Sequence, residues 1–200
     1  MYKFNTPGPE GSDISTRLIL LVCVGLIALT TAKSTVGETA KNPNPDPLQI
    51  HFDLEKLPEK TLATIERIKA AARSGELDEL RSALEWNELP PEIGPGGTTD
   101  PISYWKNISV DGTAREIMAK MHNIFECGYV VQKINDGSTN YIWPYLAKIP
   151  LTRLSPRQEV DLHRLATPEE VKSMKSSGKY SGYYVVIGED GTWHSFMKKN

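Results

Sequence analysis

The chain has little cysteine, no block of basic residues and no apolar run of membrane-spanning length. Each shortage excludes something. With two cysteines in 200 residues, Cys23 and Cys127, at most one internal disulfide exists, and none if Cys23 is removed with an N-terminal segment. The net charge of −2, spread without a basic stripe, gives no electrostatic footprint for nucleic acid, so none is expected to bind. The four histidines, His51, His122, His163 and His194, are scattered and belong to no HExxH or HxH pattern, so no metal site is expected. Gly94-Pro95-Gly96-Gly97 lacks the Gly-Lys-Ser/Thr ending of a phosphate loop and does not follow a strand, so no nucleotide cofactor is expected.

What the chain does have begins with the run Leu18–Ala32 (LILLVCVGLIALTTA), bounded by Arg17 and Lys33. A spanning helix needs roughly 20 apolar residues, and this run is shorter. Lys3 and Arg17 before it and Thr30-Thr31-Ala32 at its exit read as a secretory signal, residues 1–32, with cleavage near Ala32. The alternative is an uncleaved N-terminal anchor, because Glu10 and Asp13 dilute the positive charge ahead of the run. A lipoprotein signal around Cys23 is rejected, since Leu20-Leu21-Val22 offers no small residue before the cysteine. Cleavage would remove Lys3, Arg17, Glu10 and Asp13 together, leaving the net charge unchanged at −2. It would also leave Cys127 alone, and a cysteine closing an apolar helical stretch reads as a small buried hydrophobe.

Residues 33–50 are polar and interrupted by the Asn42–Pro47 proline run, which disfavours helix and central strand and reads as a linker or tether. Residues 51–200 are expected to form one α+β domain: a helical hairpin and further helices packed on a small antiparallel sheet made of two β-hairpins. Leu62, Ile65, Ile68 and Ala72 recur at helical spacing, Ser74-Gly75 breaks the pattern, and Leu77, Leu80 and Leu84 share a face of the second arm. Asn87–Lys106 reads as a long irregular loop. Capping boxes at Thr113–Glu116, Ser155–Gln158 and Thr167–Glu170 open three more helices, the last two with proline at the first helical position. Strands are expected over 129–134, 139–143, 183–187 and 192–197, paired across Asn135-Asp136-Gly137-Ser138 and Gly188-Glu189-Asp190-Gly191.

The aromatics gather near the hairpins. Strand alternation puts Tyr183, Val185 and Ile187 on one face and Tyr184 and Val186 on the other, so some aromatics fall outside the helix-covered layer. Exposed tyrosine and tryptophan suit stacking on a sugar ring or packing on a partner; the competing reading is a second apolar layer of the sheet. Ser103-Tyr104-Trp105-Lys106 has SxxK spacing but lacks the companion motifs of that enzyme class. Asp190 is explained by Asp-Gly turn chemistry, with His194 alternating to the face opposite Trp193.

Three blocks, Asp100–Lys106 (DPISYWK), Tyr141–Ala147 (YIWPYLA) and Gly188–Phe196 (GEDGTWHSF), resemble those of an uncharacterised family of exported proteins from Gram-negative bacteria, over residues 60–197. The resemblance implies a periplasmic setting and supplies no catalytic residues. The leading expectation is a non-enzymatic periplasmic domain binding a small ligand or envelope partner through the aromatic hairpin surface and the 87–106 loop. Its candidate ligand-binding residues are Tyr104, Trp105, Lys106, Tyr141, Trp143, Tyr145, Trp193 and His194. Two other readings are a cell-wall hydrolase drawing on Ser103, Lys106, Asp190 and His194, and a structural or assembly protein of the envelope.

Overall fold

The computed structural model describes residues 48–199; the signal or anchor and most of the tether lie outside them. The first long helix, α1 (Glu59–Ser74), turns Thr61, Thr64, Ile65, Ile68 and Ala71 inward, and Gly75, with φ of +76°, ends it. The second arm of the expected hairpin is tighter than its heptad-like leucines suggest. Leu77–Leu80 forms a 3-10 turn that runs into the five-residue α2 (Arg81–Glu85), burying Leu77, Leu80 and Ala83.

The stretch read as an irregular loop holds two elements. It carries β2 (Glu92–Ile93), and its last six residues are the first six of the eight in α3 (Pro101–Ile108). Asp100 caps α3 by accepting from the Ser103 amide at 3.1 Å, and Pro101 stands at the first helical position. Both are ordinary helix-start signals. The next helix, α4 (Arg115–Phe125), starts near its expected place but without the expected capping box. Thr113 Oγ1 instead donates to Asp111 at 2.6 Å, and Ala114 takes a left-handed φ of +60° before the helix. Glu116 reaches further back, accepting from the Val110 amide at 3.0 Å and from Ser109 Oγ at 3.1 Å. The other two boxes form as read, opening α5 (Pro156–Leu165) at Ser155 and α6 (Pro168–Ser177) at Thr167.

The two hairpins are β3 (Tyr129–Lys133) with β4 (Thr139–Trp143), and β5 (Tyr183–Gly188) with β6 (Trp193–Lys198). They join edge to edge, β4 pairing antiparallel with β5. Short strands complete a six-stranded sheet of order β1-β3-β4-β5-β6-β2, β1 being Ile50–His51. Ile50, assigned to the tether by sequence, is therefore already paired. The sheet is mixed rather than wholly antiparallel, because β2 runs parallel to β6. The fold is α+β.

The register builds the core. Trp143 pairs with Val185, Val185 with Phe196, and Phe196 with Ile93, giving a buried apolar row across four strands. Two hydroxyls of α1 fasten it to the β5–β6 turn: Thr61 Oγ1 donates to the Gly188 carbonyl at 2.8 Å and Thr64 Oγ1 to the Gly191 carbonyl at 2.7 Å. That contact sets one wall of the site. Among the described residues no helix is long and apolar enough to cross a membrane.

Candidate functional site

Four of the eight aromatic-surface candidates are core residues. Trp105, Trp143, Tyr145 and Trp193 are each no more than 1% exposed. Their side chains are unavailable to a ligand. The reason is periodic: Trp105 follows Ile102 by one helical turn and shares its inward face, while Trp143 and Trp193 point to the inward side of their strands. Trp105 stacks on Trp193 with ring centres 6.2 Å apart and meets Phe196 edge-on. Trp193 Nε1 donates to the Ser195 carbonyl at 3.1 Å, and Tyr145 donates its hydroxyl to the buried Asp161 carboxylate at 2.9 Å. Buried indoles and phenols usually find such partners, whereas Trp143 Nε1 has none among the described residues.

The remaining four do not form a common surface. Tyr141 is half-buried, 5.9 Å from Tyr129 ring to ring. Tyr104 is half-buried beneath Gly94, where a Cβ would collide with its ring. Lys106 is exposed, its ammonium 3.6 Å from Asp78. His194 alone of the eight presents an exposed side chain to a large concavity. The Ser-Lys pairing is absent as well: Ser103 Oγ donates to Asp100 at 2.5 Å, which places it in the cap of α3.

That concavity is an open cleft of about 990 Å³ between residues 86–99 and the β5–β6 turn. Trp86 stands on its rim, 65% exposed, with Leu89 close in sequence at 77%. Trp86 is the residue that the sequence reading missed. The signal was present: two residues beyond Leu84, it lies off the face shared by Leu77, Leu80 and Leu84. Its ring is held from one side by Arg67, whose guanidinium carbon lies 4.1 Å from the ring centre. Arg67 Nη1 is buried and has no hydrogen-bond partner among the described residues, so the indole is its main company.

The far wall is built on the β5–β6 turn. Asp190 accepts from the Thr192 amide and hydroxyl, both at 2.9 Å, and these bonds hold its carboxyl below the ordinary carboxylate range. The turn role of Asp190 holds, and His194, on the face opposite the buried Trp193 as alternation implies, lies beside it. A Cβ built on Gly188 would lie 2.6 Å from Asp190 Oδ1 and 2.8 Å from His194 Nε2, so both side chains close over that glycine. A register shift between Val186 and Ile187 leaves His194 as the extra residue of β6, with no partner in β5. Lys60, Glu88 and Glu92 supply the other charges of the cleft, and Thr98, Thr99 and Thr192 its hydroxyls. No cluster of three metal-ligating side chains occurs among the described residues.

Compared with family models, with curated proteins and with solved structures, the chain matches none.

Proposed function

We propose that this chain is an exported, non-enzymatic binding protein that holds a small ligand or envelope component in the cleft between residues 86–99 and the β5–β6 turn. One observation carries the reading. Of four tryptophans three are buried, and the fourth, Trp86, stands exposed against the Arg67 guanidinium in the lining of an open cleft of about 990 Å³. A rigid aromatic platform beside convergent polar groups is the usual composition of a binding site. The N-terminal run Leu18–Ala32 supports export, and the proline-punctuated stretch after it suits a freed N-terminus or a tether.

The two halves of the proposal are tested separately. Mass measurement of protein recovered from the bacterial periplasm should give a chain starting near Lys33, or a full chain in the membrane fraction if the anchor is retained; full-length protein in the cytosol overturns export. Acrylamide quenching of the purified protein should report one accessible tryptophan, and a detergent-solubilised envelope fraction should shield it. Unchanged quenching at saturating extract overturns binding at the cleft.

A further inference from the structure

Taking the cleft as a binding site, we infer that its ligand is a neutral, polyhydroxylated chain of pyranose rings, one ring stacking on Trp86 while its hydroxyls bond the Asp190–His194 wall. Charge narrows the choice first. Glu88, Glu92 and Asp190 face a single ammonium, that of Lys60, so the cleft repels phosphates, nucleotides and acidic polymers. A cationic ligand is disfavoured for a different reason. Arg67 already covers one face of the Trp86 ring at 4.1 Å, and a ring that carries one guanidinium is a poorer host for a second cation on its other face.

What remains is a ligand with an apolar face and a polar edge. A pyranose whose substituents are equatorial has both: its C–H groups form a flat face for an indole, and its hydroxyls project sideways as donors and acceptors. The cleft supplies the complement. Asp190 is an acceptor whose geometry is fixed by Thr192, His194 offers a ring nitrogen, and Thr99 adds a hydroxyl to the lining. Gly96 and Gly97 have no atom within 4 Å of where a Cβ would stand, so the backbone there leaves room beside the platform.

Length follows from the neighbouring concavity. A second hollow of about 280 Å³, lined by Arg81, Leu84, Glu85 and Ile102, shares Pro90 and Thr99 with the cleft. The two adjoin at those residues. A chain of several linked rings occupies both, whereas one monosaccharide fills only part of the first.

The test is calorimetric titration of the full chain with a tetramer of β-1,4-linked N-acetylglucosamine and with the corresponding glucose tetramer, for wild type, Trp86→Ala and Trp86→Phe. Binding of either tetramer by wild type, weakened about tenfold by Trp86→Ala (about 1.4 kcal/mol) and largely restored by Trp86→Phe, supports the inference. Equal binding by wild type and Trp86→Ala puts the sugar elsewhere and overturns both the inference and the cleft. Failure of both tetramers to bind overturns the sugar assignment alone, since shielding of Trp86 by envelope extract tests the cleft independently. Circular dichroism of the variants should match wild type, because Trp86 is not a core residue.

Discussion

The side chain of Asn87 pairs with the backbone of Trp193 as a further strand residue would: its Nδ2 donates to the Trp193 carbonyl at 2.7 Å and its Oδ1 accepts from the Trp193 amide at 3.0 Å. This two-way bond fastens the 86–99 segment to β6 and so fixes the width of the cleft. Asn87→Ala removes both partners from a backbone that is only partly open to water, which costs about 1–3 kcal/mol. Urea unfolding should show a lower midpoint with an unchanged slope. Asn87→Asp should cost at least as much, because it turns an acceptor toward the carbonyl. A midpoint that does not move for either variant would show that the segment is held by other contacts.

The tryptophans should divide three to one in mutagenesis. Trp105→Ala, Trp143→Ala and Trp193→Ala each empty a large volume in a packed core, a loss of about 3–5 kcal/mol. Trp86→Ala gives up one exposed cation–π contact, worth about 0.5–1 kcal/mol. Melting curves of the four variants check the division. A Trp86→Ala destabilised as much as the other three would make that ring a structural residue instead of a platform.

The same division explains what the sequence could reveal. Hairpins, the α+β class and the capping boxes at Ser155 and Thr167 were legible because each rests on local chemistry, a glycine that takes positive φ or a serine or threonine three residues before a glutamine or glutamate; the same pattern at Thr113 forms no box, because Asp111 takes the Thr113 hydroxyl. The site was not. Trp105 and Trp193 stand in sequence blocks that look functional, yet their burial depends on the row Trp143–Val185–Phe196–Ile93, which exists only once β4 meets β5 and β2 meets β6. Two-residue β2, set among prolines and glycines, carries no pattern of its own. The Asp190–His194 approach falls at a register shift between β5 and β6, a feature with no sequence pattern of its own. By contrast, Asp100-Pro101 is a helix-start signal of purely local chemistry, masked in the sequence by the prolines and glycines before it.

Gly191 and Gly96 separate backbone strain from packing. Both have positive φ, +89° and +79°, so either alanine variant pays the left-handed penalty of about 1–2 kcal/mol. Only Gly191 is also crowded, a Cβ there lying 2.8 Å from the Lys60 carbonyl oxygen, whereas Gly96 faces open space. Gly191→Ala should therefore lose clearly more stability than Gly96→Ala in urea titrations. It should also weaken the Thr64 bond to the Gly191 carbonyl, which joins α1 to the turn. Equal losses would mean that the turn yields without disturbing α1.

Cys127 should set part of the alkaline limit of stability. Its side chain is 4% exposed, and burial pushes the thiol up to about 12. Its value in the unfolded chain is about 8.5. The folded state thus holds this proton more tightly, a contribution that is complete below the unfolded value and is lost as the pH rises toward the folded one. Asp190 acts in the opposite direction. Its carboxyl is held low by Thr192, so its contribution is present above the unfolded carboxylate value and fades as the pH falls through the folded value. Urea midpoints measured from pH 7 to 11 should fall more steeply for wild type than for Cys127→Ala. An aromatic disulfide reagent at pH 8 should leave the folded thiol untouched and modify it after unfolding, because the thiolate is the nucleophile and is suppressed here. Rapid modification of the native protein would mean that the segment from Phe125 to Gly128 opens without global unfolding, and the steeper alkaline fall of wild type relative to Cys127→Ala would then be lost as well.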